Sequence, residues 1–464
     1  MQSEKLSAYQ QRIAVWKKQL AASFDVVFRE IEIEDRACCL IFLSSLSDGE
    51  LIADVVESIV DTVKNRSFIY YPGSVSACMD DQQAMTFLLS GQCVVIVDGE
   101  AAYYVIETRA YPSRSTAEPS VEKSIRAAHD GFVENIIINV GLLRRRIRDP
   151  RLRVILNKEG VKTKTDIAYV YIDGLVDVDL LADFQNRLQN LDEIEIVSER
   201  MLCESLYGKT LNPYPHVRYS ERPDICAIHL LQGYLVVIVD NAPSAMIIPT
   251  TFFELNKQME EYTQTAVIAV FTRTLRLFGV LLSIYFIPLW MVLMKTQNHT
   301  LLNLHLMEDV NIYGFGLQVL LADIAVEWIR QALIHTPDML SSIMGFIAVF
   351  LLGDMAIGLG AYTEEILLVV ALCNIGNLLT PNYELSLANK FFRIVLALFA
   401  LVFGLPGFCF GIVFHVSVLL STKTIKFPYL YPLCPFSWRA LKRIWLGAPI
   451  RLRQDKQNET CNEH

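Results

Sequence analysis

LLSGQCVVIVDGEAAYYVI, residues 88–106, returns later in the chain as LLQGYLVVIVDNAPSAMII, residues 230–248. Nine of the nineteen aligned positions are identical, among them Leu88/Leu230, Gly91/Gly233 and Asp98/Asp240. Each phrase holds two apolar β-runs about a turn, and Asp98-Gly99 is a strong hairpin signal. The residues upstream align as well: CLIFLSSLSDGELIAD (39–54) lies against AYVYIDGLVDVDLLAD (168–183), a strand and then a helix in both. The expected fold class of this half is therefore α/β, made of two tandem repeated subdomains. The Asp98 turn and the Asp240-Asn241 turn are weak candidates for a ligand contact, with a plain turn as the simpler reading.

Around these phrases the chain divides into five parts. Residues 1–32 read as an amphipathic helix, with Leu6, Ile13, Trp16, Leu20 and Phe24 at helical spacing, docked on its own domain. Residues 33–120 hold the first module, with a helix from about Asp48 to Lys64 and a Pro/Ser/Thr-rich linker from Tyr111 to Pro119. Residues 121–265 hold a long helix over about 122–147 and then the second module. That helix ends in a basic run of Arg144, Arg145, Arg146 and Arg148. The run suits anionic headgroups or an acidic partner, or else a solvated helix end that complements its own dipole. Residues 266–422 read as a membrane domain and 423–464 as a basic tail.

Composition supports that division. The chain has 464 residues, 53% of them hydrophobic, and a positive mean hydropathy, with long uncharged runs only beyond about residue 265. The net charge of −9 argues against nucleic acid as a partner. Ten cysteines are scattered, with Cys38-Cys39 adjacent and no Cys-x-x-Cys or metal-spaced His/Cys cluster, so no metal and no cofactor are expected. The first residues, MQSEKLSAYQQRIAVWKK, hold no uninterrupted apolar core, and no signal peptide is expected. There is no P-loop, Gly-x-Ser-x-Gly or His-Glu-x-x-His motif, so no enzymatic activity is expected.

In the membrane half, Arg273 and Arg276 precede an apolar run at 277–294 that is long enough to cross a bilayer. Further spans are expected at about 341–359, 364–380 and 391–420, the last broken at Gly404-Leu405-Pro406. Basic flanks and the basic tail place both ends in the cytoplasm and call for an even number of crossings. The segment 315–335 differs from an ordinary span. At 100° per residue, Asp323, Glu327 and Arg330 share one narrow face, opposite Leu321, Ala325, Trp328 and Ala332. It is expected as a partial or in-plane helix; were it to cross, one further segment must cross too. Asp354 stands in an apolar run, where an unpaired charge costs about 3 kcal/mol. His335, Asn374, Asn377 and His415 complete the polar set. These residues can line a water path, pack between subunits or hydrogen-bond within one subunit.

ENIIINVGLLRRRIRDPRL (134–152), Thr163-Lys164-Thr165, Glu221-Arg222-Pro223-Asp224, Pro249, VEWIRQALIHTP (326–337) and KFPYLYPLCPF (426–436) resemble, in this order along the chain, the A-subunits of spore germinant receptors, the GerA family. One departure is that Arg126-Ala127-Ala128-His129-Asp130 stands where receptor subunits usually carry Arg-Gly-Pro, which favours a sporulation branch over nutrient sensing. The resemblance implies an integral protein of the inner spore membrane. It further implies ring-shaped homo-oligomers that act as ion channels during germination, together with a multi-spanning membrane partner. The expected function is accordingly a subunit of an oligomeric ion channel in the lipid bilayer, or alternatively a non-conducting scaffold of a germination complex.

Overall fold

The computed structural model describes residues 7–20, 23–33, 36–65, 73–111, 128–191, 195–258, 261, 264–295, 312–334, 345, 347, 350, 353, 355–425 and 427–446. Helix α1 (Ala8–Leu20) precedes a first sheet of β1 (Val26–Ile33), β2 (Arg36–Leu43), β3 (Val75–Cys78), β4 (Cys93–Val97) and β5 (Tyr103–Ile106). Helices α2 (Gly49–Asn65) and α3 (Asp81–Leu89) lie between its strands. The strand order is β1-β2-β4-β5-β3. After α4 (Ile136–Arg146) comes a second sheet of β6 (Leu152–Glu159), β7 (Thr165–Ile172), β8 (Arg218–Ser220), β9 (Leu235–Val239) and β10 (Ala245–Ile248), in the order β6-β7-β9-β10-β8. Helices α5 (Val178–Gln189), α6 (Glu199–Tyr207) and α7 (Pro223–Leu231) accompany it.

The register is the same in both sheets. Cys93 pairs with Ile106 as Leu235 pairs with Ile248, and Cys38 pairs with Val97 as Ile167 pairs with Val239. Antiparallel sheets with one wet face alternate apolar and polar residues. CVVIV and LVVIV do not alternate, because helices cover both faces. Val236 and Ile238 face α4 and α7, while Leu235, Val237 and Val239 face α5 and α6. In the first sheet Val94 and Ile96 face α1 and α3, and Cys93 and Val95 face α2. The shared glycine has a shared cause. Gly91 and Gly233 both adopt positive φ, +95° and +91°, and a Cβ on Gly233 would lie 2.6 Å from the Leu175 carbonyl oxygen.

Two expectations for this half need correction. The N-terminal helix ends at Leu20, and Val26–Ile33 is a strand paired along its whole length with β2. Phe24 kept helical spacing by coincidence; VVFREIEI after Asp25 is an alternating, β-branched run that a sheet edge satisfies better. Ile13, Trp16 and Leu20 are buried against the first sheet. Of the helix expected over 122–147, residues 122–127 lie outside the described residues and 128–135 are not helical; α4 starts at Ile136, where the Asn135 side chain accepts the N–H groups of Ile137 and Ile138 and caps it.

The helices that follow include α8 (Phe252–Leu255), α9 (Ala266–Lys295), α10 (Ile312–Ile334), α11 (Glu364–Leu378), α12 (Tyr383–Phe403), α13 (Leu405–Ser421) and α14 (Trp438–Leu446). Among the described residues, Ala266–Met294 and Tyr383–Phe403 are long and apolar enough to cross a membrane, and Leu405–Ser421 is a shorter apolar helix. The single broken span expected over 391–420 is instead a helical hairpin. Gly404, at φ +65°, turns the chain, and Pro406 sits in the first turn of α13, where its missing N–H costs nothing. Gly411 then meets Leu396, and Leu419 packs with Leu385. Helix α10 lies lengthwise and antiparallel to α12, with Gly316 beside Leu401 and Arg330 bonded to Ser386. Helix α9 runs parallel to α12, since the Ser283 carbonyl accepts from Arg393 and Val292 packs with Ala400. Most of the span expected at 341–359 lies outside the described residues.

Candidate functional site

Helix α12 carries Ser386, Lys390 and Arg393, spaced by four and then three residues. Helix α10 carries Asp323, Glu327 and Arg330 with the same spacing. Because the two helices are antiparallel, the stripes meet. Asp323 Oδ2 accepts Arg393 Nε at 3.0 Å, and Oδ1 accepts Arg393 Nη2 at 2.6 Å. Lys390 Nζ donates to Glu327 Oε2 at 3.0 Å and lies 3.7 Å from Asp323. Arg330 donates to Glu327 at 2.8 Å and to Ser386 Oγ at 3.2 Å, and its guanidinium lies over the Tyr383 ring. From α11, Asn374 donates to Asp323 at 3.1 Å and accepts from Lys390 and Arg393 at 3.2 and 3.0 Å. Asp323, Lys390 and Arg393 are 3%, 3% and 1% exposed. Among these residues two carboxylates face three bases, a surplus of one positive charge.

Of the roles open to the α10 stripe, a water path, a subunit contact or pairing within one subunit, the described contacts are of the last kind. Its partners are in its own chain. Lys390 and Arg393 were overlooked because Lys390 looks like the flank of an apolar run and Arg393 like a lone cation inside it. The matching four-then-three spacing on α12 was the available signal. Asn377 is buried one turn beyond Asn374, and its side-chain oxygen has no partner among the described residues. His335 and Asp354 lie outside the described residues.

A second buried constellation joins the sheets to the helices. His415 of α13 is 1% exposed. Its Nε2 lies 2.7 Å from the Tyr214 hydroxyl, in the loop before β8, and its Nδ1 lies 2.8 Å from the Tyr285 hydroxyl of α9. A neutral imidazole has one donor and one acceptor nitrogen, and the two phenols use both. Nearby, Arg273 and Arg276 of α9 are buried on the Glu261 carboxylate, and Arg276 also donates to the Asn256 carbonyl at 2.6 Å. The cations taken as flanks of the first span are thus ion-paired into the base of the second sheet. Just before them, Glu254 of α8 pairs with Lys257 and lies 3.4 Å from His229. Burial would raise the Glu254 carboxyl, but Lys257 and His229 together outweigh it and hold it well below the usual carboxylate range.

The basic run is not one surface. Arg144 is buried and makes a two-pronged contact with Asp25 at 2.9 and 2.8 Å, while Ser45 donates to the same carboxylate. It ties the helix before the second sheet to the first sheet, which is neither a lipid contact nor a solvated helix end. Arg146 pairs with Asp130 at 2.5 Å, Arg145 lies over the Tyr111 ring, and Arg148 is exposed. Asp240 accepts the Ile136 N–H and Asn241 donates its N–H to the Glu134 carbonyl, so that turn caps α4. Asp98 donates its N–H to the Ala37 carbonyl. A cavity of about 300 Å³ between β8, α6 and the start of α12 is lined by Arg200, Tyr219, Glu221 and Glu384, among others, and by none of the three turn residues. Among the described residues no cluster of His, Cys, Asp and Glu could hold a metal ion.

A sheet-rich α/β half continued by apolar helices that enclose paired charges defines a class of membrane-associated protein. Residues 14–459 match the family described as Bacillus/Clostridium GerA spore germination protein, and the chain belongs to that family. It is 37% identical to stage V sporulation protein AF of Bacillus subtilis (strain 168) over 456 residues, covering 93% of this chain and 91% of that protein. It is 27% identical to spore germination protein KA of the same organism, covering 94% and 84%. The crystal structure of the N-terminal domain of the A subunit of the Bacillus megaterium spore germinant receptor GerK3 is 24% identical. It covers 53% of this chain and 96% of that one, with a TM-score of 0.41.

Proposed function

We propose that this chain is an integral membrane subunit of the spore germination machinery that assembles into an oligomer and opens a path for ions. The observation that carries this reading is the Asp323–Arg393–Lys390–Glu327–Arg330 network. Charges inside apolar helices are expensive and are retained where helices must surround a polar path. In this reading the network clamps α10 to α12 beside the path and does not line it bare.

The helix directions support six crossings. Helices α9 and α12 leave the sheet side, and α10, α11 and α13 return to it. Because α10 and α11 both return, this proposal calls for one further outward pass between them, and both ends then stay on the cytoplasmic side. The two sheets are copies of one module, the second seated on the helices through His415 and Glu261. The chain is not an enzyme, and its partners are further copies of itself, a multi-spanning membrane protein and lipid.

The test is conductance of the purified full chain in planar bilayers, together with cation release from germinating spores that carry Glu327→Gln or Arg393→Met. Current from the reconstituted protein and altered release in both variants are expected. Absence of current with wild-type release kinetics overturns the reading. That result would favour a non-conducting scaffold, a role that the complete internal pairing of Asp323 and Arg393 also fits.

A further inference from the structure

The segment after α13 lies outside the charge network described above. Strands β11 (Lys423–Thr424) and β12 (Phe427–Pro428) form a short hairpin, and the tail is fixed to the second sheet by bonds from Thr424 Oγ1 to the Thr250 carbonyl and from the Phe252 N–H to the Tyr429 carbonyl, both 3.0 Å. Tyr431 and Ala440 enter the core that α4 and α7 share with that sheet. Between these two anchors the side chains turn outward. Leu433, Phe436 and Trp438 are 48%, 66% and 58% exposed. Three large apolar groups within six residues are not what a solvated turn presents.

The charge next to them is one-sided. Arg439 and Lys442 are exposed, and among the described residues neither has a carboxylate partner. Lys442 Nζ lies 5.4 Å from the centre of the Trp438 ring. Helix α14, which carries all three of these residues, packs against α9, the longer of the two helices able to cross a membrane. Its backbone is held by the Ser437 side chain, which accepts the Ala440 N–H at 3.4 Å. A platform tied to the second sheet, with exposed aromatic side chains, cations that have no carboxylate partner among the described residues and a spanning helix at its side, fits the boundary between headgroups and acyl chains.

We propose that residues 433–442 form a membrane-surface contact, with Leu433, Phe436 and Trp438 at the headgroup–acyl boundary and Arg439 and Lys442 on the phosphates of anionic phospholipids. Because Tyr431 and Ala440 sit in the core of the second sheet, this contact ties that sheet directly to the bilayer surface.

The experiment uses the full chain reconstituted in vesicles of phosphatidylcholine alone or mixed with phosphatidylglycerol, with acyl chains brominated close to the headgroup. The Trp438 signal is taken as the difference between the wild-type protein and Trp438→Phe, which removes the contribution of the other four tryptophans. Quenching of that signal is expected to grow with the phosphatidylglycerol fraction. In Arg439→Gln and Lys442→Gln, both exposed positions that leave the core untouched, the fraction needed should rise about five-fold per cation removed. A Trp438 signal unquenched in both lipids, or quenched equally in both, overturns the assignment. So does a photo-crosslinker at position 436 that captures a second copy of the chain or an acidic protein in place of phospholipid.

Discussion

Replacing Arg393 by methionine removes the group that holds Asp323 at 2.6 and 3.0 Å. At about 3 Å and an effective dielectric constant of about 20, the attraction lost is ~5 kcal/mol before desolvation is counted. Deleting one member of a buried pair costs about 3–5 kcal/mol in practice. Here Lys390, 3.7 Å from Asp323, recovers part of the loss, so the lower end applies, about 3 kcal/mol. The reverse deletion is worse. Asp323→Asn leaves Arg330, Lys390 and Arg393 against Glu327 alone, whereas Arg393→Met leaves two bases against two acids. Joint replacement, Asp323→Leu with Arg393→Met, removes both charges and should restore most of the stability, because well-packed apolar residues often substitute for a buried pair without loss. The assay is thermal unfolding of the full chain in detergent. A drop on the order of 5 °C is expected for Arg393→Met, a larger one for Asp323→Asn, and a smaller one for the pair than for either alone. Additive losses in the double variant, or an Asp323→Asn protein more stable than Arg393→Met, would refute the reasoning.

Other consequences are equally direct. Arg144→Met strands the Asp25 carboxylate between the two sheets and should cost about 3–5 kcal/mol, read as a lower unfolding temperature that Asp25→Leu partly restores. Glu254 has its folded-state pKa depressed by Lys257 and His229. Its contribution is therefore complete above its unfolded value of about 4.5 and fades as pH falls below it. Unfolding temperatures measured between pH 6 and 4 should fall more steeply in the wild type than in Glu254→Gln. His415→Leu leaves the Tyr285 hydroxyl without its partner and the Tyr214 hydroxyl with only the 3.4 Å contact to Asn389 Oδ1, at about 1–3 kcal/mol for a group left unpaired. Adding Tyr214→Phe and Tyr285→Phe should recover much of that loss, and a triple variant no more stable than His415→Leu would show that the imidazole does not bridge the two halves.

The hairpin phrases at 88–106 and 230–248 determined, by themselves, where two strands and a turn fall in each sheet, because apolar runs and turn residues are local signals. They also carried the aligned glycines, whose positive φ and close contact with a neighbouring carbonyl only the structure explains. The carboxylates of the α10 stripe were legible for the same reason: helical spacing is arithmetic on the sequence. Their partners were not. Lys390 and Arg393 lie more than sixty residues away in sequence, and only the antiparallel course of α10 along α12 sets the two stripes in register. Arg144 shows the same limit from the other side. In the sequence it is one of four basic residues at a helix end, and nothing local separates it from Arg145 or Arg148. Asp25 reaches it across more than a hundred residues, and packing two sheets on a common helix turned a surface charge into a buried clamp. Periodicity decides which faces a segment has; which of them are buried, and against what, depends on contacts distant in sequence that only the folded chain forms.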